Sequence, residues 1–550
     1  MAERRNYIPP AVVLLLIVCF FVAGMAVIPY AGIQNDEVLF AAGIYSPQTV
    51  RDFVLVFHRP VATMLMTYLG ALKAWIYSPI FALWTPSVYS LRVPVLVLGA
   101  FTIWLFYLLL SRILGRRAVV AGCALLATDS TYLYTTCFDW GPVLLQHILM
   151  VGGVLLVVRF HQTSSRVALG AGFFLFGLAL WDKTLFGWTL AGMLLGLLAA
   201  NPGALRRAIS MKNLLVIVFC FGAGAYPLLR FNLRNSGETL RANVGWSAEP
   251  AVLRMKVGML QHTLGGSGLL EYLSFGDGTV GARRPRTALE KASVELDEHR
   301  GDLRNGWLAY AMGAALLLLP AVWKTRARRP MIFALIVMAV VWSQMLFGVG
   351  VGGSVHHTVL LWPWPQFFAA AGLTEASRRL RRAGLPALVL VIALVSGSNV
   401  VVANIQFSQL IRNGGGLVWT DAVFGLSDYL PTVPAEHYVL LDWGLTEPLR
   451  LLHKGRMPLA WGGDYVLKDT LGEEDRRGFL TMIQATGNVY VSHTEPYQVF
   501  EGVNRRLDRL LEREGYRKQP LASIPDSNGR NIFEVFRIVK GPPAASSGRS

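Results

Sequence analysis

Apolar runs separated by short, often basic turns fill the first three quarters of the chain. Runs long enough to cross a hydrocarbon core of about 30 Å fall near 8–30, 89–110, 118–136, 141–158, 167–182, 185–200, 213–229, 307–323, 330–348, 357–373 and 385–404. A further run, 60–84, has the length to cross but holds Pro60, Lys73 and Pro79. Beyond residue 404 the pattern changes. His437-Tyr-Val-Leu-Leu-Asp-Trp and Asn488-Val-Tyr-Val-Ser read as buried strands, and Ile532-Phe-Glu-Val-Phe-Arg-Ile-Val alternates as a strand should. Thr446 to His453 reads as a short helix with a threonine cap, and Gly502 to Gly515 as a charged amphipathic helix. Strand and helix in turn predict a small α/β domain.

Composition and charge assign sides to the spans. Of the 550 residues, 53% are hydrophobic and 15% charged, and the net charge is +17. Such a basic balance suggests nucleic acid, but the bases cluster in turns between apolar runs, where they set orientation in a membrane. If 60–84 lies in the interface, one side receives Arg4 and Arg5, the 112–117 and 159–166 turns, Arg206 and Arg207, the 324–329 turn and the 378–382 turn. If 60–84 crossed, Arg4 and Arg5 would lie opposite all later clusters. The positive-inside rule therefore gives about eleven crossings with the N-terminus inside, and Lys73 snorkels from an interfacial helix. The first run lacks a small-residue cleavage site, so it is read as an uncleaved helix. The four cysteines all lie within or at the ends of apolar runs, which implies no disulfide framework.

The resulting organisation is a polytopic α-helical membrane domain over 1–404 and an extracytoplasmic α/β domain over 405–540. A compositionally disordered tail covers 541–550. Outer loop 1 (31–88) carries interfacial helices. The long outer loop 230–306, with Gly265-Gly266 and a charged patch from Lys291 to Arg304, is either a substrate-engaging loop or disordered.

With sides assigned, the polar residues of the membrane part collect at the outer face. They are the acid pair Asp36 and Glu37, the turn His58-Arg59-Pro60, Asp139 beside Trp140, Asp182-Lys183, and His356-His357. Two carboxylates at the mouth of a membrane helix are costly and need a reason: proton removal, metal binding or anion repulsion. A carboxylate near hydroxyls acts as a general base, and Lys, Arg and His at the same level neutralise phosphate. Acid plus cations at one bilayer face suits attack by an acceptor hydroxyl on a phosphate-linked donor. Each feature also has a plainer reading: solvated helix start, snorkelling lysine, anchor of the interfacial helix for His58 and Arg59, interfacial tryptophan belt for Trp140, Trp181, Trp362 and Trp364. No Walker loop or dinucleotide-binding strand–loop–helix is present, and Gly348-Val-Gly-Val-Gly-Gly follows a membrane span without a βαβ pattern.

Together, Asn35-Asp36-Glu37, His58-Arg59-Pro60, Ser90-Leu-Arg-Val-Pro, Ile113-Leu-Gly-Arg-Arg-Ala-Val, Ala127-Thr-Asp-Ser before Asp139, and Trp181-Asp-Lys-Thr-Leu-Phe-Gly follow one order and spacing. In this the chain resembles the GT-C superfamily of polytopic glycosyltransferases, nearest to the protein O-mannosyltransferases and the lipid A aminoarabinose transferases. The resemblance implies an inverting hexosyl- or pentosyltransferase of the cytoplasmic (inner) membrane, working on the extracytoplasmic or periplasmic face. Its donor would be a polyprenyl-phosphate-linked sugar and its acceptor a hydroxyl of a lipid, glycan or protein, with no nucleic-acid partner. It implies Asp36 as base, Glu37 supporting it and Asp139 orienting acceptor or donor. His58, Arg59, Lys183, His356 and His357 would hold the donor phosphate. No cofactor is required, although the acids leave a divalent metal open. This chain carries His-Arg-Pro where lysine is commoner, and His-His where relatives often carry Arg-Tyr or a tryptophan motif. The rival class is a transporter or flippase for lipid-linked sugars, for which internal repeats with helices broken at the midplane would be expected; the sequence shows no such repeat.

Overall fold

The computed structural model describes residues 10–208, 210–270, 272–276 and 281–541. Arg4, Arg5 and the expected tail beyond Gly541 lie outside the described residues. Among those described, the helices Val88–Ile113, Val143–Thr163, Met211–Arg234 and Arg328–Phe347, and the helical stretch Trp364–Asn413, are long and apolar enough to cross a membrane. Shorter apolar helices cover Ala11–Val27, Phe186–Ala200 and Leu308–Leu317. Pro10–Val27, Arg166–Asp182, Phe186–Ala200, Met211–Arg234, Arg328–Phe347 and Gly384–Asn413 all fall on expected runs, so the apolar pattern located the helices well.

Two expected spans are divided. Over 118–136 the chain forms Arg116–Ala127 and then Ser130–Cys137, because the Asp129 side chain accepts from the Tyr132 N–H and starts a new helix. Over 307–323, Leu308–Leu317 is followed by the single turn Leu319–Val322, with Pro320 near its start. Glycine sets the closest helix approach. A Cβ on Gly177 would meet the Phe221 carbonyl at 2.3 Å, and one on Gly224 the Phe174 carbonyl at 2.3 Å, so Arg166–Asp182 and Met211–Arg234 pack backbone to backbone.

The 60–84 run is not a spanning helix. Its first part is strand β2 (Arg59–Met64), paired antiparallel with β1 (Asp52–Val56), and its second is the 12-residue helix Leu72–Leu83. Lys73 does not snorkel from that helix but is buried inside the protein. The long segment 230–306 is also largely folded, with helices Glu238–Asn243, Pro250–Leu264 and Ala288–His299. The last of these takes up much of the charged patch and is started by a capping box between Thr287 and Glu290.

The helix beginning at Gly384 runs on to Asn413, past the expected end of the membrane domain. Beyond it stands a mixed five-stranded sheet in the order β4-β3-β5-β7-β6. β3 (Tyr438–Leu440) is parallel to β4 (Leu459–Trp461) and to β5 (Val489–His493). β7 (Asn531–Lys540) runs antiparallel to β5 and to β6 (Tyr516–Pro525). β3, β5, β7 and the Val503–Glu514 helix fall where the sequence pattern placed them; β4 and β6 do not appear in that pattern. Thr446 is the first helical residue of Thr446–Leu452 rather than its cap, since no side chain caps that helix. One sheet face buries Val439, Tyr490 and Phe536 under Phe479, Ile483, Leu507 and Leu511. The other is covered by Ala422, Leu426 and Leu449.

Candidate functional site

The loop after the first helix is fixed from below by one arginine. Fully buried Arg92 holds the Glu37 carboxylate with two hydrogen bonds, Nε to Oε1 at 2.8 Å and Nη2 to Oε2 at 2.9 Å. Its remaining N–H groups donate to the Ile28, Ala31 and Gly32 carbonyls at 2.6–2.8 Å. Such a fork suits arginine, whose planar donors match a carboxylate. Glu37 is thus buried and ion-paired. Arg92 thereby anchors the loop to the start of the Val88–Ile113 helix.

Asp139 is likewise engaged. Lys73 Nζ reaches Asp139 Oδ2 at 2.9 Å and also donates to the Asp139 and Glu37 carbonyls, at 3.0 and 3.2 Å. Asp139 Oδ1 accepts from the Leu144 N–H at 3.0 Å, at the start of the Val143–Thr163 helix. Lys73 thus ties the two acidic segments together. A buried lysine that faces backbone carbonyls and a carboxylate carries little sequence signal beyond its charge.

Asp36 differs from both neighbours. It is half-buried and makes no ion pair, while its carbonyl accepts from the Gly141 N–H at 3.1 Å. Burial pushes its carboxyl above the ordinary range, against the Gln34 and Asn35 amides and the Lys183 charge, which pull it down. Lys183 is buried, caps the end of Arg166–Asp182 and makes no hydrogen bond through its ammonium. Its backbone forms a bridge with Leu69, flanked by the Thr184 N–H on the Tyr68 carbonyl and the Gly70 N–H on the Asp182 carbonyl. A Cβ at Gly141 would stand 3.5 Å from Lys183 Nζ. Asp36, the Asp139–Gly141 turn and Lys183 therefore meet.

Around them stands an aromatic wall. The Trp140 ring packs against Tyr272, Trp419 and His356, with centroids 5.0, 5.6 and 5.5 Å away. His357 packs tilted against His356 with centroids 4.1 Å apart, so both histidines join the wall. Tyr68 and Tyr272 face Asp36: burial and then the negative charge of Asp36 raise both phenols, Tyr272 to about 12. Neither tyrosine, nor Trp419, stood out in the sequence, because each reaches the site only through the packing of a distant segment.

His58 and Arg59 are not part of this cluster. They are exposed at the tip of the β1–β2 hairpin, and their side chains make no ion pair or hydrogen bond among the described residues. Asp139 is occupied by Lys73, so a divalent ion shared with Asp36 would first have to displace that ammonium. Among the described residues no three His, Cys, Asp or Glu side chains group as a metal site.

Apolar helices, a folded segment after the first helix and an acid–lysine cluster at the helix ends give the protein a GT-C-like membrane fold. It is a multi-pass membrane protein, as its helices and its structural likenesses both indicate. Residues 70–226, which include Lys73, Arg92, Asp139 and Lys183, match the profile of the dolichyl-phosphate-mannose-protein mannosyltransferase family. The chain is similar in structure to ArnT from Cupriavidus metallidurans bound to undecaprenyl phosphate, with TM-score 0.57 and 14% identity, covering 96% of this chain and 98% of that one. It is similar also to the Archaeoglobus fulgidus oligosaccharyltransferase in complex with zinc and sulfate, with TM-score 0.52 and 14% identity, covering 96% of this chain and 73% of that one. No curated protein matches it by sequence.

Proposed function

We propose that the protein transfers a sugar from a polyprenyl-phosphate carrier to a hydroxyl acceptor on the extracytoplasmic face, with inversion and with Asp36 as general base. One observation carries this reading: of four clustered acids, Glu37 and Asp139 are each held by a buried cation, Asp182 is fully buried against Gln146, and Asp36 is unpaired and partly exposed. Asp36 takes the proton of the acceptor hydroxyl as its oxygen bonds to the anomeric carbon. The bond from that carbon to the phosphate oxygen breaks on the opposite side, and the phosphate leaves with the electron pair. Lys183, whose ammonium is uncommitted, offsets that developing charge. The His356–Trp140–Tyr272 wall supplies apolar faces for a sugar ring. The likeness to a structure containing undecaprenyl phosphate supports the donor class. About eleven crossings, with the sheet domain outside, follow from the charge pattern under the positive-inside rule. No metal is needed for this chemistry.

The test incubates purified protein with labelled polyprenyl-phosphate sugars and hydroxyl acceptors. Asp36→Asn is expected to lower transfer by about 10²-fold or more, in the range of general-base losses, while the protein keeps its melting temperature. Equal transfer by the variant removes Asp36 as base. Movement of the lipid-linked sugar across vesicles without transfer favours a flippase.

A further inference from the structure

The β1–β2 hairpin holds its hydrophobic groups outward. Leu55, Val56 and Phe57 are exposed, Leu55 at 67% and Phe57 at 93%, and Phe53 is partly so. The inner end of the same hairpin is buried at Ala62, Thr63 and Met64, where the Thr63 carbonyl accepts from the Trp181 indole at 2.8 Å. The tip is thus an unpartnered apolar end on a firmly seated stem.

The turn itself is unusual. Val56 pairs with Arg59, which leaves Phe57 and His58 as a two-residue connection, with φ of 49° and 64°. Such turns favour Asn and Gly, and a bulky aromatic at positive φ is strained. A water-facing tip gains nothing from phenylalanine there. A tip in lipid does, because the ring leaves water.

What borders the tip identifies the occupant. The stem is joined to the membrane helix Met211–Arg234 by the Arg230–Asp52 ion pair. That helix exposes Tyr226, Leu229 and Leu233 on the same end of the molecule. The Leu72–Leu83 helix, which donates the Trp75 indole N–H to the Ala62 carbonyl at 2.8 Å, exposes Trp75 and ends beside exposed Trp84. The hairpin tip therefore continues a belt of exposed aromatic and aliphatic side chains, as found where a protein meets a headgroup layer. Basic groups rim the apolar tip. His58 and Arg59 are exposed and unpaired, and Arg51 at the base of β1 pairs with Glu238. Apolar tip with cationic rim is the pattern of an element seated in an anionic interface.

We infer that the β1–β2 hairpin inserts its Leu55–Phe57 tip into the outer leaflet, with His58 and Arg59 against lipid phosphates. The two bases then serve the bilayer surface and not the cluster around Asp36. The hairpin becomes a fixed foot that sets the depth of outer loop 1 relative to the headgroups.

The test reads depth, so it stands whether or not sugar transfer occurs. Phe57→Cys, Leu55→Cys and, as a control on the sheet domain, exposed Glu501→Cys are labelled with a nitrobenzoxadiazole probe. Each is reconstituted in phosphatidylcholine vesicles with or without phosphatidylglycerol, and the signal of the unsubstituted protein is subtracted. Nitroxides on the upper acyl chain are expected to quench position 57 about threefold more than position 501, and aqueous iodide the reverse. Iodide quenching at 57 as strong as at 501 overturns the insertion. Arg59→Glu combined with Phe57→Cys is expected to lower nitroxide quenching by about half in the anionic vesicles only. Unchanged quenching there overturns the role of the basic rim. Because Phe57 is almost wholly exposed, its replacement leaves the packing of the stem intact.

Discussion

Asp36, Glu37 and Asp139 are chemically alike and differ only in what surrounds them. Removing one partner of a buried pair leaves the other charged and uncompensated, which costs about 3–5 kcal/mol. Arg92→Met is therefore expected to lower the melting temperature sharply, and adding Glu37→Gln is expected to recover part of that loss. A double variant less stable than Arg92→Met would show that the pair is not the source. Asp36 makes a different prediction. Its folded-state value is raised by burial, so the carboxylate forms at higher pH than an ordinary one near 4. Transfer should then rise with pH along an acid limb displaced upward, measured as kcat/KM against pH; a limb at or below about 4 contradicts the assignment. The sign for stability is opposite to that of a salt-bridged acid. A raised folded value favours the protonated fold, so the unfavourable contribution of Asp36 starts above its unfolded value and is complete once pH exceeds the folded one.

Loops and short helices hold this residue in place. The Asn35 side chain accepts from the Glu447 N–H at 3.3 Å, at the start of the Thr446–Leu452 helix, and the Gly32 N–H donates to the Trp419 carbonyl at 2.7 Å. A Cβ at Gly32 would lie 1.9 Å from the Thr420 carbonyl oxygen, so only glycine permits that approach. The sheet domain is thus attached to the Asp36 loop itself. Asn35→Ala is expected to lower kcat about tenfold, roughly the 1.4 kcal/mol of one hydrogen bond, with KM little changed. Because the Asn35 amide pulls the Asp36 carboxyl down, the same change should move the acid limb further up. Loss of KM alone would point to a substrate ligand in place of a positioning residue. The sheet domain carries its own buried polar link. His493 Nδ1 contacts Asp442 Oδ2 at 2.8 Å, and the Val499 and Phe500 N–H groups donate to the same carboxylate. Against its burial, these contacts hold Asp442 below the usual carboxylate range.

Across the whole molecule, what the sequence disclosed follows from what is periodic. Apolar runs of about twenty residues placed most helices, short buried apolar runs placed β3 and β5, and alternation placed β7. β4 has only three residues, and β6 begins Tyr-Arg-Lys-Gln-Pro, an edge composition that reads as loop. The divided spans were hidden because Asp129 and Pro320 act as helix starts inside apolar stretches. Residue types at the site were legible: Asp36, Asp139 and Lys183 meet as expected. Their partners were not, since Lys73 and Arg92 show only a charge in an apolar setting, and pairing across tens of residues leaves no local mark. His58 and Arg59 mislead for the same reason, since the turn that exposes them depends on backbone geometry.

The Asn35–Glu447 contact joins residues 412 positions apart. A ribosome delivers outer loop 1 to the membrane long before it makes Trp419 or Glu447, and chains fold from the N-terminal end as they emerge. Until the last quarter of the polypeptide arrives, Gly32 lacks its Trp419 strap and the Asn35 side chain its Glu447 contact. A nascent or prematurely terminated chain would insert its early helices and yet leave the Asp36 loop without its late-made anchors.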